Sequence, residues 1–174
     1  MIESRYWKEE LQRIAKSIRR VKHPPRWSVR RACVIERELM VGFFIVRRMI
    51  ELNKISAKMI NKPISVFSCP ALMPVNKLNA HRRWETYDLN NEVRCSRNLV
   101  YITNQFIHSY SSGVLRDETG NWGDVYIGSD YERNKCIWRI AVVEIHTLFS
   151  AIAKDYPRVM SFNYNEKKLD YDVT

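Results

Sequence analysis

The stretch GVLRDETGNWGDVYIGSDYERNKCIWRIAV, residues 113–142, decides the fold class of this chain. β-Branched and aromatic residues recur in it between turn signals, a pattern typical of short strands joined by tight loops. It predicts a strand, a turn at residues 118–121, a strand through Val125 and Ile127, a polar loop, and a strand from Cys136 to Ile140. Three successive strands with such short connections form an antiparallel meander.

The segments on either side of this meander predict one further helix and additional strands. Downstream, Val142, Ile145, Phe149 and Ile152 keep helical spacing and predict a helix from 142 to 154, followed by a terminal hairpin that turns at residues 165–167. Upstream, PISVFSCP (63–70) is a β-prone run, and NLVYITNQFIHSY (98–110) is interpreted as a strand first and a helix afterwards.

The first third of the chain predicts two helices separated by a break. Between residues 4 and 22 an apolar stripe at helical spacing comprises Trp7, Leu11, Ile14, Ile18 and Val21. Pro24 and Pro25 cannot continue a helix, so we expect its boundary near His23. Ser28 is a suitable N-cap for a second helix that runs to about Leu52 and forms the central core element.

The predicted stripe of the second helix contains one carboxylate. It comprises Cys33, Glu36, Leu39, Phe43, Val46 and Ile50. Glu36 is interpreted either as the partner of a basic residue or as a buried carboxylate with a raised pKa.

These elements predict an α+β fold with two N-terminal helices, an antiparallel β-meander and one C-terminal helix packed on the sheet. The length of 174 residues suits a single domain over 1–174, with a basic helical part over 1–60 and a sheet-plus-helix part over 61–174. We find no internal repeat.

The positive charge is concentrated in the helical part. The formal net charge of the chain is +10, and residues 1–60 contain 15 Lys/Arg against 6 Asp/Glu, whereas residues 61–174 contain 14 against 13. Clustered positive charge attracts phosphate-bearing or acidic partners. The asymmetry therefore favours an acidic binding partner over a uniformly charged surface.

The remaining composition points to a cytoplasmic protein. The cysteines Cys33, Cys69, Cys95 and Cys136 are far apart and contain no CxxC pair, so we expect reduced thiols and no metal site. The start MIESRYWKEE lacks the pattern of a secretory signal. The longest apolar run, residues 39–46, is much shorter than the roughly 20 residues of a membrane-spanning helix, and we therefore expect no membrane association.

No recognisable catalytic motif is present, so no catalytic residue is assigned and whether the chain is an enzyme stays open. A Gly-rich phosphate loop, GxSxG and HExxH are all absent, and no cofactor is indicated. The acidic residues that gather around the meander are Asp117, Glu118, Asp124, Asp130, Glu132 and Glu144. Solvated hairpin loops explain them, although a metal-dependent nuclease using Asp124 or Asp130 is an alternative.

The strongest functional signal is the basic corner, which we define as residues 19–31, RRVKHPPRWSVRR. We expect a non-catalytic nucleic-acid-binding or accessory protein in which arginines and lysines contact phosphates of DNA or RNA and a tryptophan stacks on a base. The candidate binding residues are Arg19, Arg20, Lys22, Arg26, Trp27, Arg30 and Arg31. Trp84 beside Arg82 and Arg83 is a second stacking candidate.

The main alternative is a protein-interaction surface, either for an acidic partner or between copies of the chain in an oligomer. Trp27 would then anchor the entry into the second helix by packing, and the arginines would be solvated or paired with acids of the sheet. A concave positive surface containing Trp27 or Trp84 would favour nucleic acid, and a flat positive patch with exposed apolar residues would favour a protein partner.

Overall fold

The sheet is built by the segments in which β-branched and aromatic residues alternate. In the computed structural model, which describes residues 4–157, 162–167 and 169–173, five strands form one antiparallel sheet in the order β2-β1-β5-β4-β3. Their bounds are β1 Ile64–Pro70, β2 Val93–Arg97, β3 Ser109–Arg116, β4 Trp122–Ser129 and β5 Cys136–Ala141. A separate hairpin pairs β6 (Phe162–Asn165) with β7 (Asp170–Val173). The predicted meander and terminal hairpin are confirmed.

Most of the helices cover one face of the sheet, and one short helix, α4, lies in the 71–89 connection. Their bounds are α1 Ser4–Ile18, α2 Val29–Glu51, α3 Ala57–Ile60, α4 Arg83–Thr86, α5 Leu99–Ile107 and α6 Val142–Lys154. α6 begins where β5 ends and packs on β4, β5 and α1, while α2 packs on α1, α5 and β3. The predicted α+β class, with N-terminal helices and a C-terminal helix on the sheet, is therefore confirmed.

The main core lies between the helices and this face of the sheet. Phe43 of α2 stacks on Phe106 of α5 at a centroid distance of 3.9 Å, and its ring meets Phe149 of α6 edge-on at 4.9 Å. A smaller cluster on the opposite face contains Tyr87, Tyr126 and Ile137, and residues of the 71–89 connection pack against it. The sheet is thus covered on one side by helices and on part of the other by a long connection.

The segment 98–110 has the reverse of the predicted order, because the helix α5 comes first and the strand β3 follows. Asn98 starts the helix by accepting a hydrogen bond at its side chain from Tyr101 N (2.9 Å). Leu99, Ile102 and Phe106 are buried at helical spacing. The prediction of a strand first was wrong, because the Asn98 cap and the burial of this apolar stripe favour a helix despite the β-branched composition.

α2 begins and ends close to the predicted residues, but the face that it buries is shifted slightly from the predicted stripe. Ser28 is the N-cap, its Oγ accepting from Arg31 N (3.3 Å), as predicted. The buried carboxylate is Glu38, which accepts from Arg13 (2.6 Å) and Arg37 (3.0 Å), whereas Glu36 is half-buried and Cys33 exposed. The ion-pair interpretation therefore describes Glu38 and not Glu36.

α1 ends at Ile18, earlier than the expected boundary near His23. The residues that follow leave the helix because Val21 is held by the side chain of Asn121. Val21 N donates to Asn121 Oδ1 (2.8 Å), and Asn121 Nδ2 donates to Val21 O (3.2 Å). This contact with the β3–β4 turn replaces the last predicted helical turn and shapes the basic corner.

Candidate functional site

The basic corner encloses a cavity of about 590 Å³ between the end of α1, the start of α2 and the β3–β4 turn. Such a volume lies within the roughly 300–1,000 Å³ typical of ligand pockets. The apolar lining consists of Val21, Pro24, Pro25, Val34, Ile35 and Trp122. The cationic lining consists of Arg19, Arg30, Arg31 and Arg116. The lining therefore combines apolar side chains, which we call the floor, with four guanidinium groups, which we call the rim.

The β3–β4 turn holds the corner in place through several contacts. Arg116 Nη1 donates to the carbonyl oxygen of Pro25 at 2.7 Å. Asn121 binds the backbone of Val21 in both directions, as described above. Gly120 adopts a φ of 78° beside Pro24, and a Cβ added there would lie 3.3 Å from the proline Cγ. A turn that only glycine accommodates easily thus fits against the proline pair.

Arg116 and Trp122 form one wall of the cavity. They are cross-strand partners in the ladder of β3 and β4, and the Arg116 guanidinium lies over the Trp122 ring at 4.7 Å from its centroid. Such a cation–π contact stabilises both side chains by roughly 0.5–1 kcal/mol or more. Arg116 Nε is buried and has no hydrogen-bond partner within the described residues, and no carboxylate there neutralises this arginine. The wall therefore remains positively charged.

Most of the predicted cations of the corner are unneutralised. Within the described ranges, no carboxylate forms an ion pair with Arg19, Lys22, Arg26, Arg30 or Arg31. Arginines elsewhere, such as Arg13, Arg47 and Arg139, do contact carboxylates. The like charges at the corner are consequently available to an external anion.

Arg20 is the exception among the predicted binding residues. Its Nη2 lies 2.7 Å from Asp117 Oδ2 and 3.2 Å from Thr119 Oγ1 in the β3–β4 turn. Hydrogen bonds from Thr119, together with Asn121 N–H and the charge of Arg20, lower the pKa of Asp117. Asp117 is therefore ionised at neutral pH and pairs with Arg20. This geometry does not favour the prediction that Arg20 contacts a phosphate.

The structure divides the remaining candidates into lining and surrounding residues. Arg19, Arg30 and Arg31 line the cavity, whereas Lys22, Arg26 and Trp27 are exposed and outside its lining. Trp27 is 61% exposed and belongs to neither hydrophobic cluster, so it does not anchor the entry into α2 by core packing. Trp84 is exposed on α4, beside Arg83.

Sequence reasoning missed Arg116, Asn121 and Trp122, which lie about ninety residues after the corner. One available signal was the predicted turn at 118–121, since residues just before and after a hairpin turn face each other across the ladder. That signal pairs Arg116 with Trp122. It does not reveal that the turn docks against residues 21–25.

Asp117, Asp124, Asp130 and Glu132, four of the six acidic residues around the meander, are engaged by neighbouring side chains. Asp124 accepts from Arg139 (2.9 Å), and Asp130 forms an ion pair with Arg133. Glu132 accepts from Tyr101 Oη (2.6 Å) and from Trp138 Nε1 (2.9 Å). In the described part of the chain, no group of three His, Cys, Asp or Glu side chains could hold a metal ion. The carboxylates needed by the nuclease alternative are therefore occupied as structural partners.

The cysteines and the helices relate to two further expectations, which concern reduced thiols and membrane association. All four cysteines are free thiols, with Cys33 exposed and Cys69 buried. Burial raises the pKa of Cys69 to about 11, which keeps this thiol protonated at neutral pH. None of the helices over the described ranges has both the length and the apolar character that a membrane crossing requires.

Comparisons of the chain with protein-family models, with curated proteins and with solved structures found no match.

Proposed function

We propose that this protein binds nucleic acid through the basic corner, without catalysing a reaction on it. The observation that carries the proposal is a concave site whose rim presents Arg19, Arg30, Arg31 and Arg116 without carboxylate partners among the described residues. Phosphate groups spaced along a strand are the natural counter-charges for several guanidinium groups at one rim. Lys22 and Arg26, exposed beside the cavity, extend the positive surface.

The helix geometry supports the same assignment. α2 is 23 residues long, and its N-terminus, capped by Ser28, opens at the cavity. The helix dipole places partial positive charge there, and this adds to the field of Arg30 and Arg31. A cytosolic location is part of the proposal, and the four free cysteines support it.

The test is the binding of fluorescently labelled oligonucleotides, followed by anisotropy at a series of salt concentrations. Each phosphate neutralised by a cation releases condensed counterions, so we expect the affinity to fall steeply with salt. Substituting Arg30→Ala and Arg31→Ala together should weaken binding at least tenfold and flatten the salt slope by about 1–2, because two phosphate contacts are lost.

A matched control removes the same charge at the other end of the molecule. Lys58 of α3 and Lys62 are exposed and follow the C-terminus of α2, about 30 Å along the helix from the corner. Lys58→Ala with Lys62→Ala should leave the affinity within about twofold. Absence of binding at low salt, a flat salt dependence, or an equal loss in the control pair would reject the proposal.

A second candidate is an interaction with an acidic protein or with another copy of the chain. It is favoured by the exposed Trp27 and by Val29, which is 63% exposed, because tryptophan and arginine together are enriched in interface hot spots. Light scattering should then show an oligomer or a complex that persists after nuclease treatment. Charge reversal at Arg30 and Arg31 should dissociate it.

A further inference from the structure

We infer that the cavity of the basic corner accommodates an unpaired base, so that the protein prefers single-stranded over double-stranded nucleic acid. This inference rests on the proposed function and specifies its ligand. It follows from the apolar floor of the cavity, because the binding of phosphates by the rim does not explain why the floor is apolar.

The floor of the cavity is apolar, although the binding of phosphates requires no apolar surface. Ile35 is buried in it, while Val21 and Val34 keep about two-fifths of their surface exposed, 39% and 38%. The bases of a duplex are stacked and paired inside the helix, so they are not free to enter a cavity of the protein. An apolar cavity lined also by four arginines therefore suits an unstacked base of a single strand better than a duplex.

The wall formed by Arg116 and Trp122 is suited to a base as a neighbour. Base recognition in single strands commonly uses aromatic rings and guanidinium planes, on which any base can stack. Arg116 is oriented by Trp122 and by its hydrogen bond to Pro25 O, so its plane is held before any ligand binds. Preorganised groups lose less entropy on binding, which favours this wall as the place where a base stacks.

The size and charge of the site agree with one nucleotide inside and its neighbours at the rim. A cavity of about 590 Å³ lies in the range that accommodates small organic ligands. Arg19 lies at the α1 side and Arg30 and Arg31 at the α2 side, so the phosphates before and after the inserted base each meet a guanidinium group. Charge complementarity thus selects a strand over an uncharged apolar ligand.

The experiment compares a mixed-sequence single strand, the same strand with abasic sites throughout, the corresponding duplex and a free nucleotide. We expect the single strand to bind about tenfold more tightly than either the abasic strand or the duplex, because base stacking on protein rings contributes a factor of this order. The free nucleotide should bind more weakly than the strand, since it lacks the flanking phosphates.

Two valine variants isolate the cavity from the charge of the corner. Val34→Phe fills the cavity and leaves every cation in place, and Val41→Phe makes the same change at a similarly exposed position of the same helix, outside the lining and outside the basic corner. Val34→Phe should reduce single-strand binding to the level of the duplex and leave duplex binding unchanged. Val41→Phe should alter neither, and circular dichroism should show both variants folded.

The outcomes separate this inference from the proposed function. Equal affinity for the duplex and the single strand, full binding of the abasic strand, or equal losses for both ligands in Val34→Phe would overturn the base cavity while nucleic-acid binding stands. A free nucleotide that binds as tightly as the strand would overturn the assignment to a strand. If no oligonucleotide binds at low salt, both proposals fail.

Discussion

Arg116 on β3 donates a hydrogen bond from Nη1 to the carbonyl oxygen of Pro25 at 2.7 Å and so ties the α1–α2 connection to the β3–β4 hairpin. The two residues are 91 positions apart in the chain. The same guanidinium stacks on Trp122. The geometry of the basic corner therefore depends on a hairpin whose own residues lie outside it.

Replacing Arg116 with Lys should weaken both the fold and the binding site, although the charge is kept. Lysine is a compact ammonium without the planar fork, so it cannot stack on Trp122 and reach Pro25 O in the same way. We expect a loss of about 1–2 kcal/mol in the free energy of unfolding, measured with urea, and a several-fold lower affinity for single strands. If Arg116→Lys binds like the wild type, charge alone matters and the positioning role is wrong.

Replacing Asp117 with Asn should increase the affinity for nucleic acid. Asp117 Oδ2 pairs with Arg20, and Oδ1 accepts from Thr119 N (2.9 Å) and Asn121 N (3.1 Å). Asparagine keeps an acceptor for these turn contacts but releases Arg20, which can then contact a phosphate. The affinity at moderate salt should rise several-fold, and the salt slope should steepen by about 0.7 for a single strand.

The control for Asp117→Asn is Asp130→Asn, which removes a carboxylate of similar charge from a distant loop where Asp130 pairs with Arg133. A gain of the same size in both variants would mean that net charge, and not the release of Arg20, controls binding. No gain in Asp117→Asn would mean that Arg20 contacts no phosphate even when it is free.

Replacing Gly42 with Ala should destabilise the protein although alanine is the better helix former. A Cβ added at Gly42 would lie 2.6 Å from Cζ of the buried Phe149 ring, so α2 and α6 cannot keep their separation. Overpacking of this kind costs about 1–3 kcal/mol. The gain of about 1 kcal/mol in helix propensity offsets part of this cost, so urea unfolding should show a net loss of up to about 2 kcal/mol.

Two further variants test the cause of that loss. Cys33→Ala, at an exposed position of α2, should change the free energy of unfolding by less than about 0.5 kcal/mol. Gly42→Ala should be tolerated better in a Phe149→Leu background, because the smaller side chain leaves room for the added methyl group. Additive losses in the double variant would show that the two residues do not clash.

Replacing Tyr87 with Phe should lower stability at neutral pH by about 1 kcal/mol. Tyr87 is buried, and its hydroxyl donates to Arg133 O at 2.9 Å. Burial raises the pKa of Tyr87 to about 12, compared with about 10 in the unfolded chain. Because the unfolded state ionises first as the pH rises, the wild type loses stability between about pH 10 and 12, and Tyr87→Phe lacks this loss.

Urea unfolding of both proteins from pH 8 to 11 provides the measurement, and the difference between them should shrink above pH 10. Tyr131→Phe is the control, since Tyr131 is exposed and its variant should follow the wild type throughout. A difference that is constant over the whole range would show that Tyr87 ionises alike in both states. The difference between ultraviolet titrations of the folded wild type and Tyr87→Phe reports the same pKa independently.

The secondary structure could be predicted where the signals are local. Ser28 starts α2, and α6 spans residues 142–154, as a neighbouring cap and an apolar stripe respectively indicate. The segment 98–110 failed because the Asn98 cap and the β-prone composition pointed in opposite directions, and packing against α2 and β4 supports the helix. Competing local preferences are resolved by tertiary contacts.

The candidate site also has features that the sequence predicted and features that only the tertiary structure shows. From the sequence alone came the break at Pro24 and Pro25, the restart at Ser28 and the concentration of positive charge around them, because all three depend on adjacent residues. Only the tertiary structure decided that Arg20 is neutralised by Asp117 and that Arg116 and Trp122 complete the cavity. These contacts join residues about ninety positions apart, and their distances depend on how the hairpin docks against the helices, which no local pattern encodes.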